Sequence, residues 1–332
     1  MKNLGKILSL QVFLFFSMLP SLWAAPLTGI VCYERQPEQA ELNAVVKQAV
    51  QTAVDRSSTA LIFEEVAAAE GQAVTPEQLK RQLTGGRHYV LGVGADFVAP
   101  FYALAGQYPQ TSFVVLDGEI EEPLKAKNLL CVRFAENEAG YLAGIVAATY
   151  SQQGKIGFIG GQRKAAKMRS FFTGYEAGAQ AVNSKLKVRT KYLGADFNTE
   201  KMQKAASSLY GNGCEVIFNA TGASSLSLFQ IAAQERKYAI GCNVDEGALA
   251  PAELRPWILT SALKRVERVI SWSVQAFVDG ELEGGNVCWN LNKDGVGYAD
   301  NQWNHGLLAK AQATLDDVEA QSYFGVLQIP QQ

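Results

Sequence analysis

Histidine is scarce in this sequence: His88 and His305 are the only two among 332 residues. They lie far apart in the chain, so a site built on several histidines is not expected. The five cysteines are widely spaced and include no Cys-x-x-Cys pair. This spacing argues against a cysteine-rich zinc site and against a disulfide-dense scaffold. We therefore predict no metal and no cofactor. We expect at least three of the cysteines to be small buried hydrophobes. The formation of one or two disulfides in an oxidising compartment is an open alternative.

An excess of charge of one sign is also lacking. The chain has 30 Lys+Arg and 32 Asp+Glu, a net charge of -2, so it does not carry the basic surface of a nucleic-acid-binding protein. Hydrophobic residues make up 48% and charged residues 19% of the chain, which is typical of globular proteins and excludes disordered, collagenous and coiled-coil classes. We expect a small-molecule ligand and no nucleic-acid partner.

Long hydrophobic runs are missing except at the start of the chain. Lys2 and Lys6 precede an apolar run, Ile7–Leu19, which Pro20 ends. The run of about 13 residues is shorter than the roughly 20 needed to span a membrane. Residues 1–24 are therefore predicted to be a cleaved secretory signal peptide, with an uncleaved anchor as the alternative. No cysteine lies at the cleavage point, so we expect no lipid anchor. An exported protein without an anchor is expected in the periplasm, and we expect it to be a monomer.

The rest of the chain alternates between strands and helices. Strand patterns such as Tyr89–Val93 are continuously apolar, as expected when helices cover both faces of a parallel sheet. The alternation starts again near Lys155. The fold class predicted is α/β, with two doubly wound parallel-sheet lobes that face each other across a ligand cleft.

Polar, glycine and aromatic residues follow several of these strands. Ligands of open parallel sheets lie beyond the carboxyl ends of the strands, where glycine lets the backbone approach a ligand closely. Taken alone, each such residue is explained at least as well as a turn, a helix cap or a core residue, and the argument rests on their convergence on one cleft. The candidates from position are Phe97, Asp117, Phe172, Asn219, Gly222, Asn243, Asp245 and Lys264.

Catalytic motifs are missing. No G-x-x-x-x-G-K-[ST], G-x-S-x-G or H-E-x-x-H is present, and Phe97 stands where a G-x-G-x-x-G motif needs its third glycine. We therefore predict a protein that is not an enzyme. A nucleoside hydrolase-type enzyme is kept as an alternative from another functional class.

Several segments resemble one family. Residues 136–144 resemble its pattern E-x-E-A-x-Y-L-A-G, 154–161 its GKVGFVGG, 172–178 its F-x-x-G-F-x-A-G, and 260–266 its T-S-x-x-K-x-V. The family is the basic membrane protein (BMP) family of ABC-transporter substrate-binding proteins, which includes the purine nucleoside receptor proteins. The similarity covers roughly residues 88–300.

The resemblance implies a type I periplasmic binding protein whose lobes are joined by crossing strands and close on the ligand by hinge motion. The implied ligand is a purine nucleoside or a similar flat heterocycle, and the implied partner is the permease of an ABC importer. Asp117 and Lys264 match the family's site carboxylate and lysine. The corresponding domain boundaries are residues 25–133 plus about 261–290 for lobe 1, and 134–260 plus about 291–332 for lobe 2.

The chain also departs from the family pattern. Tyr33 and Glu34 stand in a first loop where the family has a different acid and aromatic, and Asn243 replaces an aspartate. The segment after Gly161 is strongly basic. A different flat or anionic ligand is therefore an alternative. A role in presenting the ligand to a membrane sensor, instead of a permease, is an alternative function.

Overall fold

The computed structural model describes residues 27–33, 40–57, 61–67, 74–83, 86–121, 126–195 and 198–331. The expected signal peptide (1–24) and Glu34 lie outside this part of the chain. Within it, no helix combines the length and the apolar character that crossing a membrane requires.

The strands, numbered in chain order, are β1 (Leu27–Tyr33), β2 (Leu61–Ala67), β3 (His88–Val93), β4 (Thr111–Leu116), β5 (Leu129–Phe134), β6 (Lys155–Gly160), β7 (Lys187–Tyr192), β8 (Val216–Asn219), β9 (Tyr238–Asn243), β10 (Ile258–Lys264), β11 (Gly285–Trp289) and β12 (Val296–Tyr298). The helices are α1 (Ala40–Arg56), α2 (Pro76–Lys80), α3 (Val98–Ala105), α4 (Glu136–Tyr150), α5 (Ala166–Val182), α6 (Thr199–Gly211), α7 (Ser225–Glu235), α8 (Glu246–Leu249), α9 (Val266–Asp279), α10 (His305–Leu308) and α11 (Gln312–Tyr323).

Two six-stranded sheets organise the molecule. The first has the order β11-β5-β4-β3-β1-β2 and the second the order β12-β10-β9-β8-β6-β7. The described strand pairs are parallel except for β10 with β12. Strands such as β3 are buried at every position because helices cover both sheet faces. The expectation of two parallel-sheet α/β lobes is confirmed.

The chain passes between the sheets three times. It leaves the first sheet after Phe134, leaves the second after Lys264, and returns to the second after Trp289. The second passage comes later than the boundary of about 261 taken from the sequence, because β10 still pairs with β9 at Leu263 and with β12 at Lys264. One apolar cluster contains residues from both lobes, so the lobes share core at these passages.

Helices α4 and α5 pack unusually closely on the second sheet. A Cβ atom added at Gly174 would lie 1.8 Å from the backbone oxygen of Asn137, and one at Gly178 would lie 2.0 Å from that of Tyr141. Gly140 and Gly144 face the other helix at similarly short range. These glycines let the two helix backbones touch, and the pair carries the first turns of α4 and α5 to the cleft as one unit.

Candidate functional site

Asp117 lies directly after β4, at the carboxyl edge of the first sheet. Its backbone has a φ of 59°, a left-handed conformation that non-glycine residues rarely adopt. The chain turns sharply there and Gly118 follows. Its carboxylate consequently points away from the strand and towards the second lobe.

Lys264 meets this carboxylate from the other lobe. It ends β10, and its Nζ lies 2.6 Å from Oδ1 of Asp117 and 2.9 Å from Oε1 of Glu136, the first residue of α4. Only 2% of the lysine side chain is exposed, against 22% for Asp117 and 15% for Glu136. Two carboxylates from separate segments therefore share one buried ammonium group.

Lys167, in the first turn of α5, is the second cation at Asp117. Its Nζ lies 3.0 Å from Oδ2, so each oxygen of the carboxylate contacts one lysine of the second lobe. Burial alone would raise the pKa of Asp117, but the ammonium groups of Lys167 and Lys264 outweigh it and hold that pKa well below its usual range. Burial would lower the pKa of Lys264, and the charges of Asp117 and Glu136 raise it instead. Asp117 and Lys264 are therefore both ionised at neutral pH.

Aromatic rings border the ion network. The ammonium of Lys264 lies 5.3 Å from the ring centre of Phe134 and 6.0 Å from that of Phe171. Phe172 instead packs edge-on against Phe158, with ring centres 5.4 Å apart. Phe171, not Phe172, stands three residues before Gly174, which is the spacing of the F-x-x-G pattern. The structure thus places Phe171, and not the candidate Phe172, beside the ion network.

Phe97 lies in the core of the first lobe. It is 2% exposed and packs on Phe101 at a ring separation of 5.5 Å, over the space left by Gly92. Neither Phe101 nor Gly92 is one of the candidate site residues. Its position at a strand end is therefore explained by packing.

Tyr33, at the end of β1, is also occupied within its own lobe. Its hydroxyl donates a hydrogen bond to Glu65, and the ammonium of Lys47 lies 4.9 Å from its ring centre. Lys47 and Glu65 form a salt bridge of 2.9 Å. Tyr33 thus joins α1 to β2 at the carboxyl edge of the first sheet.

Asn219 organises the turn that follows β8. Its amide nitrogen donates to the backbone oxygen of Ala223 at 3.1 Å and to Oγ of Ser225 at 2.8 Å. Its oxygen accepts from the backbone nitrogen and hydroxyl of Thr221 at 3.1 and 2.8 Å. The side chain is completely buried, and its hydrogen bonds shape the turn.

Gly222 and Asn243 meet where the turns after β8 and β9 approach each other. A Cβ atom at Gly222 would lie 2.0 Å from Nδ2 of Asn243, and both residues have a φ of 68°.

Asp245 accepts from the backbone of Ala248 at 3.1 Å and from Nδ2 of Asn301 at 2.7 Å. It also lines a cavity of about 230 Å³ with Leu263, Arg265, Tyr298, Ala299, Asp300 and Glu319.

The structure therefore joins Asp117 to Lys264 and Gly222 to Asn243. Sequence reasoning did not select Glu136, Lys167 or Phe171. Two signals were available: the basic segment that contains Lys167, and the helix pattern that begins with Glu136. Both residues lie in first helical turns, which follow the strand ends and so also face the cleft.

The described residues contain no group of three or more His, Cys, Asp or Glu side chains that could hold a metal ion. All five cysteines are free thiols; Cys288 is exposed and the other four are buried. The expectation that at least three are buried is confirmed. Burial raises the pKa of the Cys242 thiol to about 12, so it is not a reactive thiolate at neutral pH.

A family model described as "ABC transporter substrate-binding protein PnrA-like" matches residues 42–332. The chain belongs to this family. The resemblance read from the sequence is thereby confirmed.

Curated relatives include "Basic membrane protein D" of Borreliella burgdorferi, 31% identical over 66% of this chain and 64% of that protein. Another is "ABC transporter nucleoside-binding protein BmpA" of Lactococcus lactis, 30% identical over 70% of each chain. The chain thus spans about two thirds of the length of these relatives.

Solved structures share the fold. A "Transcriptional Activator of comK gene" from Bacillus halodurans matches with a TM-score of 0.75 at 19% identity, covering 92% of this chain and 99% of that one. An ABC transporter solute-binding protein from Aeropyrum pernix K1 matches with a TM-score of 0.75 at 19% identity, over 92% and 94%. The type I periplasmic binding-protein fold is confirmed.

Proposed function

We propose that this protein is an extracytoplasmic, non-enzymatic binding protein that delivers a purine nucleoside or a similar flat heterocycle to an ABC importer. The cleft between the two sheet edges would hold the ligand, and the two lobes would close on it by hinge motion. Family membership supports the transport role. The printed name of the lactococcal relative supports a nucleoside as the ligand class.

The observation that carries the proposal is the contact of Lys264 with Asp117. It joins the carboxyl edges of both sheets, the position where doubly wound proteins bind ligands. Carboxylates accept hydrogen bonds from sugar hydroxyls, and an ammonium donates to hydroxyl oxygens or ring nitrogens. A ligand entering the cleft would exchange some of these ion contacts for its own.

Calorimetric titration of the chain from residue 25 onward tests this function. The panel contains inosine, adenosine, guanosine, cytidine, free bases, riboflavin and amino acids. We expect purine nucleosides to bind with a Kd near micromolar, about -8 kcal/mol. Asp117→Asn should weaken binding at least tenfold, while the exposed Asp279→Asn should not. Binding of another compound class alone would overturn the ligand assignment.

Recovery of the ligand tests the non-enzymatic part. Inosine incubated with the protein should be released intact on denaturation, with no free hypoxanthine above the protein-free control. Stoichiometric or catalytic release of the base would instead establish a hydrolase.

A further inference from the structure

Glu246 is a carboxyl group enclosed beneath the second-lobe side of the cleft. It is the first residue of the short helix α8, three residues after β9 ends, and only 3% of it is exposed. No salt bridge to it is present among the described residues. A buried carboxyl without a cation is costly unless hydrogen bonds satisfy it.

Its hydrogen bonds reach three different segments. Oε2 accepts from the backbone nitrogen of Cys242 at 2.8 Å, and the carboxyl also hydrogen bonds the Ser225 hydroxyl at the start of α7. The backbone nitrogen of Glu246 donates to Oγ of Ser261 at 3.2 Å, on β10. A Cβ atom at Gly241 would lie 2.1 Å from Oε2, so glycine leaves the room for this carboxyl.

These contacts continue to the residues that face the cleft. Ser225 accepts from Asn219, whose amide shapes the turn that carries Gly222. Cys242 immediately precedes Asn243, which Gly222 approaches. One carboxyl group thus links the turn after β8 to the turn after β9.

We propose that Glu246 is a positioning residue, which fixes through these hydrogen bonds the relative placement of Gly222 and Asn243 and so the second-lobe half of the ligand site. It acts through the two turns and does not contact the ligand. The proposal assumes that the site binds a ligand as proposed above, but its structural part can be tested without one.

The surroundings of Glu246 favour its uncharged form. Burial, followed by the negative charges of Glu41 on α1 and of the neighbouring Asp245, raises the pKa of Glu246 to about 8, against the hydrogen bonds of Ser225 and Cys242. The Cys242 thiol, with a pKa of about 12, stays neutral over this range. The Ser225 hydroxyl and the Cys242 backbone nitrogen both donate to this carboxyl group. Ionisation places a negative charge under the site.

Two substitutions separate hydrogen bonding from charge. The amide oxygen of Gln in Glu246→Gln can still accept the hydrogen bonds of Ser225 and Cys242 without carrying a charge, whereas Glu246→Ala leaves both donors unsatisfied. At pH 7 we expect inosine affinity within about threefold of wild type for Glu246→Gln, and at least about tenfold weaker for Glu246→Ala. Glu253→Ala, an exposed position in the same lobe, is the matched control.

The pH profile gives a signature that a purely structural role would lack. Wild-type affinity for adenosine, which does not itself titrate in this range, should fall as pH rises from 7 to 9.5, and that of Glu246→Gln should fall less. Identical profiles, or equal weakening by both substitutions at pH 7, would overturn the proposal.

Amide hydrogen exchange provides a readout without ligand. Glu246→Ala should speed exchange at Cys242 and Thr221 at least about tenfold, while strands of the first lobe keep their protection. Unchanged exchange at both amides would overturn the positioning role even if inosine binds. Faster exchange in a protein that binds no nucleoside would instead leave the positioning role standing and refute the ligand.

Discussion

The Nζ atom of Lys264 lies 2.6 Å from Oδ1 of Asp117, although the two residues are 147 positions apart and follow strands of different sheets. The same ammonium holds Glu136 at 2.9 Å. Removing Lys264 leaves Glu136 without this cation and Asp117 with Lys167 alone, whereas removing Asp117 leaves the buried ammonium with Glu136 alone. The contact therefore links the stability of the fold to the chemistry of the cleft.

Lys264→Met should lower the free energy of unfolding by about 3–5 kcal/mol, because it leaves two carboxylates without their shared cation. Urea denaturation at pH 7 measures this. Lys204→Met, which removes an exposed i,i+4 pair with Glu200, serves as control and should cost less than about 0.5 kcal/mol. Equal losses for both variants would show that the buried network contributes no more to the free energy of unfolding than an exposed ion pair does.

Acid should remove the contribution of Asp117. Its pKa is lowered in the folded protein, so the folded state binds fewer protons than the unfolded state, whose Asp titrates near 3.9. The stability that the ionised Asp117 supplies is fully present above the unfolded-state pKa. It is lost as pH falls from there through the lower, folded-state pKa. The difference in unfolding free energy between wild type and Asp117→Asn should thus narrow below about pH 4. A constant difference from pH 7 to pH 2.5 would contradict the assigned ion pairs.

Lys167→Gln should change cleft geometry more than stability. The side chain is 39% exposed, so its pair with Asp117 contributes at most about 1 kcal/mol to unfolding. Because the pair joins the lobes, its loss should favour more open conformations, seen as a larger radius of gyration in small-angle X-ray scattering. Lys164→Gln, an exposed lysine before the same helix, should leave the radius unchanged.

Gly174→Ala should destabilise the protein by about 1–3 kcal/mol or more, because its methyl group would collide with the α4 backbone at Asn137. The control is Gly211→Ala at the end of α6, where nothing lies within 4 Å of the added atom. That change should be neutral or slightly stabilising. Thermal unfolding of the three proteins distinguishes the cases.

Thiol titration should find one fast-reacting cysteine in the native protein and five after unfolding. Cys288 is exposed and the remaining four are buried. Reductant should consequently leave the melting temperature unchanged. Fewer than five thiols in denaturant would reveal a disulfide.

The fold was predictable because the apolar strands and the repeated βα order are local signals. The placement of Asp117 and Lys264 at the sheet edges was predictable because the first follows a strand and the second ends one. Phe97 shares that position but turns into the core beside Gly92, and the direction of a side chain depends on packing that the sequence does not display. Lys167 and Glu136 reach the cleft from helix starts, and only the close packing of α4 on α5 brings them near Asp117.

The three passages between the sheets have a kinetic consequence. If the lobes close as proposed, a ligand held by one lobe would meet the other at an effective concentration of roughly millimolar or above, set by the covalent tether and not by the amount of protein. Closure would then be a first-order event whose rate does not change on dilution. Two individually weak surfaces can in this way retain a scarce solute.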